Sequence, residues 1–133
     1  MPRHTLAPWL SVRDAARAVE FYKSAFGATE TFRIDGGGVV SRLSIGDSEY
    51  WVSDESPEYF NFSPDSLGGS TARMILSVPD PDAVFAEACA AGARVIRPVA
   101  EEHGWRTGRV VDPFGHHWEI GRELPEGVNQ DGR

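Results

Sequence analysis

Leu10-Ser11-Val12, followed by Asp14 and by a helical pattern ending at Gly27-Ala28, occurs twice in this chain. The second copy is Leu76-Ser77-Val78, with Asp80 at the same offset and a second helical pattern ending at Gly92-Ala93. The glycine landmarks lie one residue closer together than the valine landmarks, so a single deletion separates the copies. Three landmarks in one order exceed what a shared tripeptide gives by chance, and they mark two similar supersecondary units in one domain. Two copies are too few for a solenoid.

Working outward, Thr5 to Val12 alternates like a strand. Pro8 cannot donate to a ladder, which puts this strand at a sheet edge or gives it a local break. Asp14 is placed to cap a helix in which Ala15, Ala18, Val19, Tyr22, Ala25 and Phe26 recur at three and four residues. Gly27 stops it. Ala28 to Ile34, the turn Asp35-Gly36-Gly37-Gly38, Val39 to Ile45, the turn Gly46-Asp47 and Glu49 to Ser53 then read as three strands joined by hairpins. The order is strand, helix, strand, strand, strand. The second unit repeats it, with Ala72 to Val78, a helix over Pro81 to Ala91, and strands near Arg94 to Val99, Arg106 to Val111 and His116 to Ile120.

The units are expected at about 5–54 and 72–121, within one domain spanning 1–133. The linker, 55–71, is rich in Pro, Ser, Gly and acids but carries Tyr59, Phe60 and Phe62. Those aromatics either fold back over a pocket or subunit interface, or plug the seam between the units. The tail, 124–133, reads as frayed and flexible.

Composition narrows the function classes. The chain has 133 residues, 41% hydrophobic and 25% charged, enough for one compact domain that buries roughly 65–70% of its unfolded surface. A formal charge of -7 argues against a nucleic-acid partner, which needs a basic patch. Cys89 is the single cysteine, so no disulfide forms within the chain, and its helical surroundings read as a buried inert thiol. No run approaches the ~18 apolar residues of a membrane span, and the N-terminus lacks a signal pattern, which points to a cytoplasmic protein with no membrane partner.

The densest chemistry lies in Asp112-Pro113-Phe114-Gly115-His116-His117-Trp118-Glu119-Ile120. Asp-Pro opens a turn, Gly115 supplies a positive φ, and the following strand alternates so that Glu119 faces away from Trp118 and Ile120. His116 and His117 face opposite sides, and only His117 shares the side of Glu119. No serine or cysteine sits at a strand-to-helix elbow with a histidine partner, so a nucleophilic triad is not supported.

Several stretches together resemble the vicinal oxygen chelate superfamily, in its glyoxalase/bleomycin-resistance protein/dioxygenase group and its PhnB-like branch. They are Pro8-Trp9-Leu10-Ser11-Val12, Phe21-Tyr22-Lys23 to Phe26-Gly27-Ala28, Ile45-Gly46-Asp47, and Gly108-Arg109-Val110 to Asp112-Pro113-Phe114-Gly115-His116. The resemblance covers about residues 5 to 121. It implies an α+β fold in which two βαβββ units form a cupped mixed sheet with helices on the convex side, and it implies homodimers, some of which exchange units. It is weakly specific for activity, because the superfamily holds metal-dependent isomerases, lyases and dioxygenases beside metal-free drug-binding proteins.

Metal-dependent members of such families place ligands on the first and last strand of each unit. By that resemblance the positions here are Ala7, Arg73, a site near Trp51 with Glu49 one alternation away, and Glu119. At best two of four can bind a divalent cation, whereas a catalytic zinc takes about three protein ligands and a hard cation about six donors. His4 lies an odd number of residues from the first-strand position, and His103 lies in a loop. The expectation is therefore a metal-free cavity with no cofactor.

Arg73 and Glu119, as neighbours, read as an ion pair; alternatively Arg73, with Arg42 or Arg106, receives the anionic group of a ligand. Trp9 and Trp51, on one concave face by alternation, either stack on a planar ligand or fill the cavity as core. The expected ligand-binding set is Trp9, Trp51, Phe60, Arg73, Arg106 and Glu119. The first reading is a small-molecule binding protein of the drug-sequestering kind, with a small organic ligand as partner. A metal-dependent glyoxalase-like lyase, isomerase or dioxygenase using Glu119 is the alternative, and metal-free acid/base chemistry at Glu119 a third, so whether the chain is an enzyme stays open.

Overall fold

The computed structural model describes residues 3–125. The first unit comprises β1 (Trp9–Val12), α1 (Ala15–Phe26), β2 (Thr29–Asp35), β3 (Val39–Ile45) and β4 (Ser48–Asp54). A short α2 (Pro64–Leu67) follows a 3₁₀ turn at Pro57–Tyr59. The second unit comprises β5 (Arg73–Ser77), α3 (Pro81–Ala91), β6 (Arg94–Glu102), β7 (Trp105–Val111) and β8 (His117–Glu123).

The two βαβββ units are present as the repeat implies. Their eight strands are divided between two four-stranded mixed sheets, ordered β1-β4-β3-β2 and β5-β8-β7-β6. In each, the first strand of the unit runs parallel to the last and the remaining pairs are antiparallel. β1 and β5 are both edge strands, and Pro8 ends just where β1 begins, which spares a ladder the donor proline lacks. Pro98 likewise lies in edge strand β6, inside the second of two register shifts.

Local chemistry sets the helix ends. Asp14 accepts from the Arg17 N–H and Asp80 from the Ala83 N–H, while Asp54 accepts from the Ala15 N–H at 2.9 Å and joins α1 to the end of β4. Gly27 ends α1 with a φ of 66°, the left-handed conformation a side chain resists. Inward-facing residues of both sheets, Leu10, Val12, Leu43, Val52, Val110 and Ile120, form one core with Val19 and Tyr22 of α1 and Ala88 of α3. Each such buried aliphatic contributes roughly 1.5–3 kcal/mol. α1 and α3 pack on these inner faces.

The linker is more ordered than its composition suggests. Glu55 accepts from the Ser63 N–H and the Ser66 hydroxyl, which holds its carboxyl below the usual range, and Ser63 caps α2. Pro64 is buried against Gly115, whose φ of 93° and close approach leave no room for a side chain. Tyr59 and Phe60 at the linker's tip are exposed, 74% and 84%, so they do not plug the seam. Of the tail expected to fray, Leu124 is buried and donates to the Gly104 carbonyl, and residues 126–133 lie outside the described residues.

The turn after β7 is held by one carboxylate. Asp112, 3% exposed, accepts from the Phe114 and His116 N–H groups, from Trp118 Nε1 at 2.9 Å and from the Tyr22 hydroxyl at 2.5 Å. Burial, reinforced by this carboxylate, pushes the Tyr22 phenol far above its ordinary pKa, so it stays a donor. Asp112→Ala strands buried donors of Tyr22 and Trp118, at roughly 1–3 kcal/mol each. Urea unfolding should show a loss of about 3–5 kcal/mol for Asp112→Ala and about 1–2 kcal/mol for Tyr22→Phe.

Candidate functional site

Because cross-strand partners share a face, the registers assign the outer surfaces directly. On the first sheet the outward residues are Trp9 and Ser11 of β1, Trp51 and Ser53 of β4, Arg42 and Val40 of β3, and Phe32 and Ile34 of β2. Trp9 and Trp51 stack with ring centroids 5.2 Å apart at 12°, and the Trp9 Nε1–H donates to the Ser53 hydroxyl at 2.8 Å. Phe32 meets Trp51 edge-on at 5.9 Å, and the Arg42 guanidinium lies over both rings. The result is a fixed aromatic platform facing outward, with Trp9 52% exposed.

The second sheet has a different outer face. Arg73, Ile75 and Ser77 of β5, His117 and Glu119 of β8, Thr107, Arg109 and Val111 of β7, and Arg94 and Arg97 of β6 share it. Arg73 Nε lies 3.2 Å from Glu119 Oε1, the pair expected from sequence. The Arg109 Nε–H donates to His117 Nδ1 at 3.1 Å. His117 therefore carries its proton on Nε2 when neutral. Partial burial, followed by the nearby Arg109 charge, holds its pKa below the ordinary 6.5.

A groove of about 1210 Å³ opens between residues 5–8, the β3–β4 turn and edge strand β5, with Tyr50 and Trp118 among its walls. The Tyr50 hydroxyl is buried without a hydrogen-bond partner among the described residues. Burial holds this phenol protonated well beyond its usual range.

Of the residues singled out in the sequence, Trp9 and Trp51 meet on one outer face, and Arg73 and Glu119 on the other. Arg106 is directed elsewhere. It forks onto Asp82 of α3 at 2.9 and 3.0 Å and also reaches Glu101, because Arg106 and Gly108 alternate toward the helix layer while Arg109 does not. Phe60 projects from the linker. His116 is buried, with Nε2 3.0 Å from the Ser11 carbonyl. Arg109, Arg94 and Phe32 were not singled out. Arg109 stands directly opposite Glu119, and two-residue alternation along β7 was the signal that could have found it.

The donors at the four family metal positions do not suit a divalent ion. Ala7 offers no ligand, Arg73 is itself a cation paired with Glu119, and at the third position Trp51 offers none while Glu49 is engaged with Arg42 at 3.5 Å. Among the described residues no group of three or more His, Cys, Asp or Glu side chains is placed to hold a metal.

Paired βαβββ units, each a four-stranded mixed sheet with its helix, define a paired-module fold. A family model described as Glyoxalase/Bleomycin resistance protein/Dioxygenase superfamily matches residues 3–120, and the chain belongs to that superfamily. It is 40% identical to an uncharacterized Mycobacterium bovis protein over 95% of this chain and 87% of the relative. Among solved structures, TioX from Micromonospora sp. ML1 is 29% identical, with a TM-score of 0.70 over 91% of this chain and 100% of that one. An Arabidopsis thaliana gene product is 31% identical, with a TM-score of 0.68 over 89% of this chain and 98% of its own. A fosfomycin resistance protein from Listeria monocytogenes shares the fold at 15% identity, with a TM-score of 0.71 over 95% and 98% of the two chains.

The lowered His117 pKa carries a sign. Below about pH 6.5 the unfolded chain takes up a proton that the folded ring resists, so His117 costs stability as pH falls through that window and is silent above it. Nitrogen NMR should find the neutral ring protonated on Nε2 and titrating below 6.5. Relative to wild type, His117→Gln should gain stability as pH drops from 7 toward 5; a ring titrating at or above its ordinary value would refute the arrangement.

Proposed function

We propose that this chain is a metal-free small-molecule binding protein of the drug-sequestering kind, acting in the cytoplasm as a homodimer, with a planar organic ligand on its open sheet faces. The observation that carries the reading is the outward Trp9–Trp51 stack with Phe32 and Arg42 around it. Paired indoles held parallel by the Trp9–Ser53 hydrogen bond add nothing to the helix-covered core, yet they present an ordered π surface. Such a surface contributes roughly 0.5–1.5 kcal/mol per stacked contact beyond area burial. Arg73 pairing with Glu119 supports the metal-free part, since a cation at Glu119 has to displace a guanidinium.

What is left uncovered supports the dimer. Trp9, Ile34 and Ile75 are each more than half exposed, Leu6 is 98% exposed, and β1 and β5 both end their sheets with a free edge. Apolar area and unpaired edges of this kind are covered in stable proteins, and a second copy, setting its second sheet beside the first sheet of its partner, covers both. Each cavity then joins an aromatic wall from one protomer to a charged wall from the other.

Protein purified without chelator and titrated with nickel, zinc, manganese and ferrous iron should bind none stoichiometrically and show no thermal stabilisation. Planar aromatic compounds should quench its tryptophan fluorescence, and Trp51→Ala should weaken that binding about tenfold, or about 1.4 kcal/mol. Stoichiometric metal that vanishes in Glu119→Ala would overturn the reading in favour of a metal-dependent lyase, isomerase or dioxygenase.

A further inference from the structure

The protein carries a formal charge of -7, yet the outer face of its second sheet sets four arginines against the three carboxylates of Glu102, Glu119 and Glu123. Arg73, Arg94, Arg97 and Arg109 share that face with His117. Two of the four are matched locally, Arg73 by Glu119 at 3.2 Å and Arg97 by Glu102 at 2.9 Å. Arg94 and Arg109 have no carboxylate within 4.0 Å among the described residues.

Arg109 is also oriented. Its Nε–H is spent on His117 Nδ1, which fixes the plane of the guanidinium, and neither terminal nitrogen has a hydrogen-bond partner among the described residues. The same hydrogen bond puts the His117 proton on Nε2, a second donor on the same face. Arg94 faces Val111 across the ladder, beside His117 in the next strand, and adds a third positive or donating group. A structural purpose does not account for this. Arg106, on the opposite face of the same strand, shows what a structural arginine does here, forking onto Asp82 and reaching Glu101.

We propose that the outer face of β6, β7 and β8 is an oxyanion site, in which Arg109 forks onto a carboxylate, sulfonate or phosphonate while the His117 Nε2–H and Arg94 complete the contact. Glu119, neutralised by Arg73, borders the site and fixes how the anion is oriented. The inference deepens the proposed function, on which it rests, by naming the ligand class as small organic anions. It moves anion recognition from Arg73 and Arg106 to Arg109 and Arg94. A fork on an oxyanion is among the stronger polar contacts a protein makes, and an arginine already held in plane loses little freedom on binding.

The test compares phenylphosphonate with benzyl alcohol, two probes alike in ring and different in charge, by calorimetry and by tryptophan quenching. Phenylphosphonate is expected to bind at least tenfold tighter to wild type and to shift the His117 nitrogen signals. Arg109→Met should remove that advantage, Arg109→Lys should restore part of it, and Arg94→Gln should reduce it severalfold. Arg106→Gln, on the helix side, should leave it unchanged. Equal binding of the two probes to wild type, or full phenylphosphonate affinity in both Arg109→Met and Arg94→Gln, overturns the oxyanion site and leaves the proposed function standing. An equal loss in Arg106→Gln overturns it too, by reducing the effect to overall charge. Failure of both probes to bind or quench overturns the small-molecule reading together with this inference.

Discussion

The buried carboxylate of Asp112 is the constraint on which the rest of this structure depends. An ionised carboxyl taken out of water is costly, and here four donors offset the cost: two backbone N–H groups of its own turn, an indole N–H and a phenol. The phenol belongs to α1 of the first unit and the indole to β8 of the second, so one side chain ties the two repeats together. It also sets an orientation. With Trp118 drawn inward to Asp112, alternation leaves His117 and Glu119 no choice but the outer face. The outward direction of His117 and Glu119 is thus a consequence of satisfying one buried charge.

The same alternation divides the labour of both sheets. Leu10, Val12, Tyr50 and Val52 face the helices and supply the core, which frees Trp9, Ser11, Trp51 and Ser53 from any duty in it. Large aromatics on a solvent face cost solubility and return nothing in folding unless something comes to cover them. The two outer faces are chemically unlike: one is aromatic with a single cation, the other charged with few apolar groups. The proposed ligand, with a flat apolar body and an anionic end, has a use for both, and the proposed dimer would bring such faces side by side.

Much of the fold was legible because the repeat is carried by residues with local mechanical meaning. Asp14 and Asp80 cap, Gly27 and Gly92 stop, and Asp-Gly-Gly-Gly and Gly-Asp turn, so element order follows from propensity alone. The linker was not legible, because its order comes from contacts distant in sequence: Glu55 gripping Ser63 and Ser66, and Pro64 seated on Gly115. The candidate site was legible in half. Trp9 and Trp51 share a face by counting along strands, and Arg73 and Glu119 were brought together by the positions the family resemblance implies. Arg106 and Arg109 required knowing which side of β7 the helix covers, and the helix layer is decided by Gly108 making room for Phe85 of α3. Role at an arginine is set by the partner across the packing layer, which composition and spacing do not contain.

The sign of the whole molecule bears on the proposed oxyanion site. At a distance a chain of charge -7 repels an anion, so long-range steering cannot be what brings one in. At physiological ionic strength that repulsion is screened beyond about 8 Å, and inside that range the local groups decide. In the proposed oxyanion site affinity therefore has to come from contact, through the fork of Arg109 and the Nε2–H of His117, and from slow departure rather than fast arrival. An acidic surface around a small basic face also discriminates. At the proposed site it favours a compact anion that can reach the guanidinium over an extended polyanion, whose remaining charges have to lie against Glu102 and Glu123 of the same face.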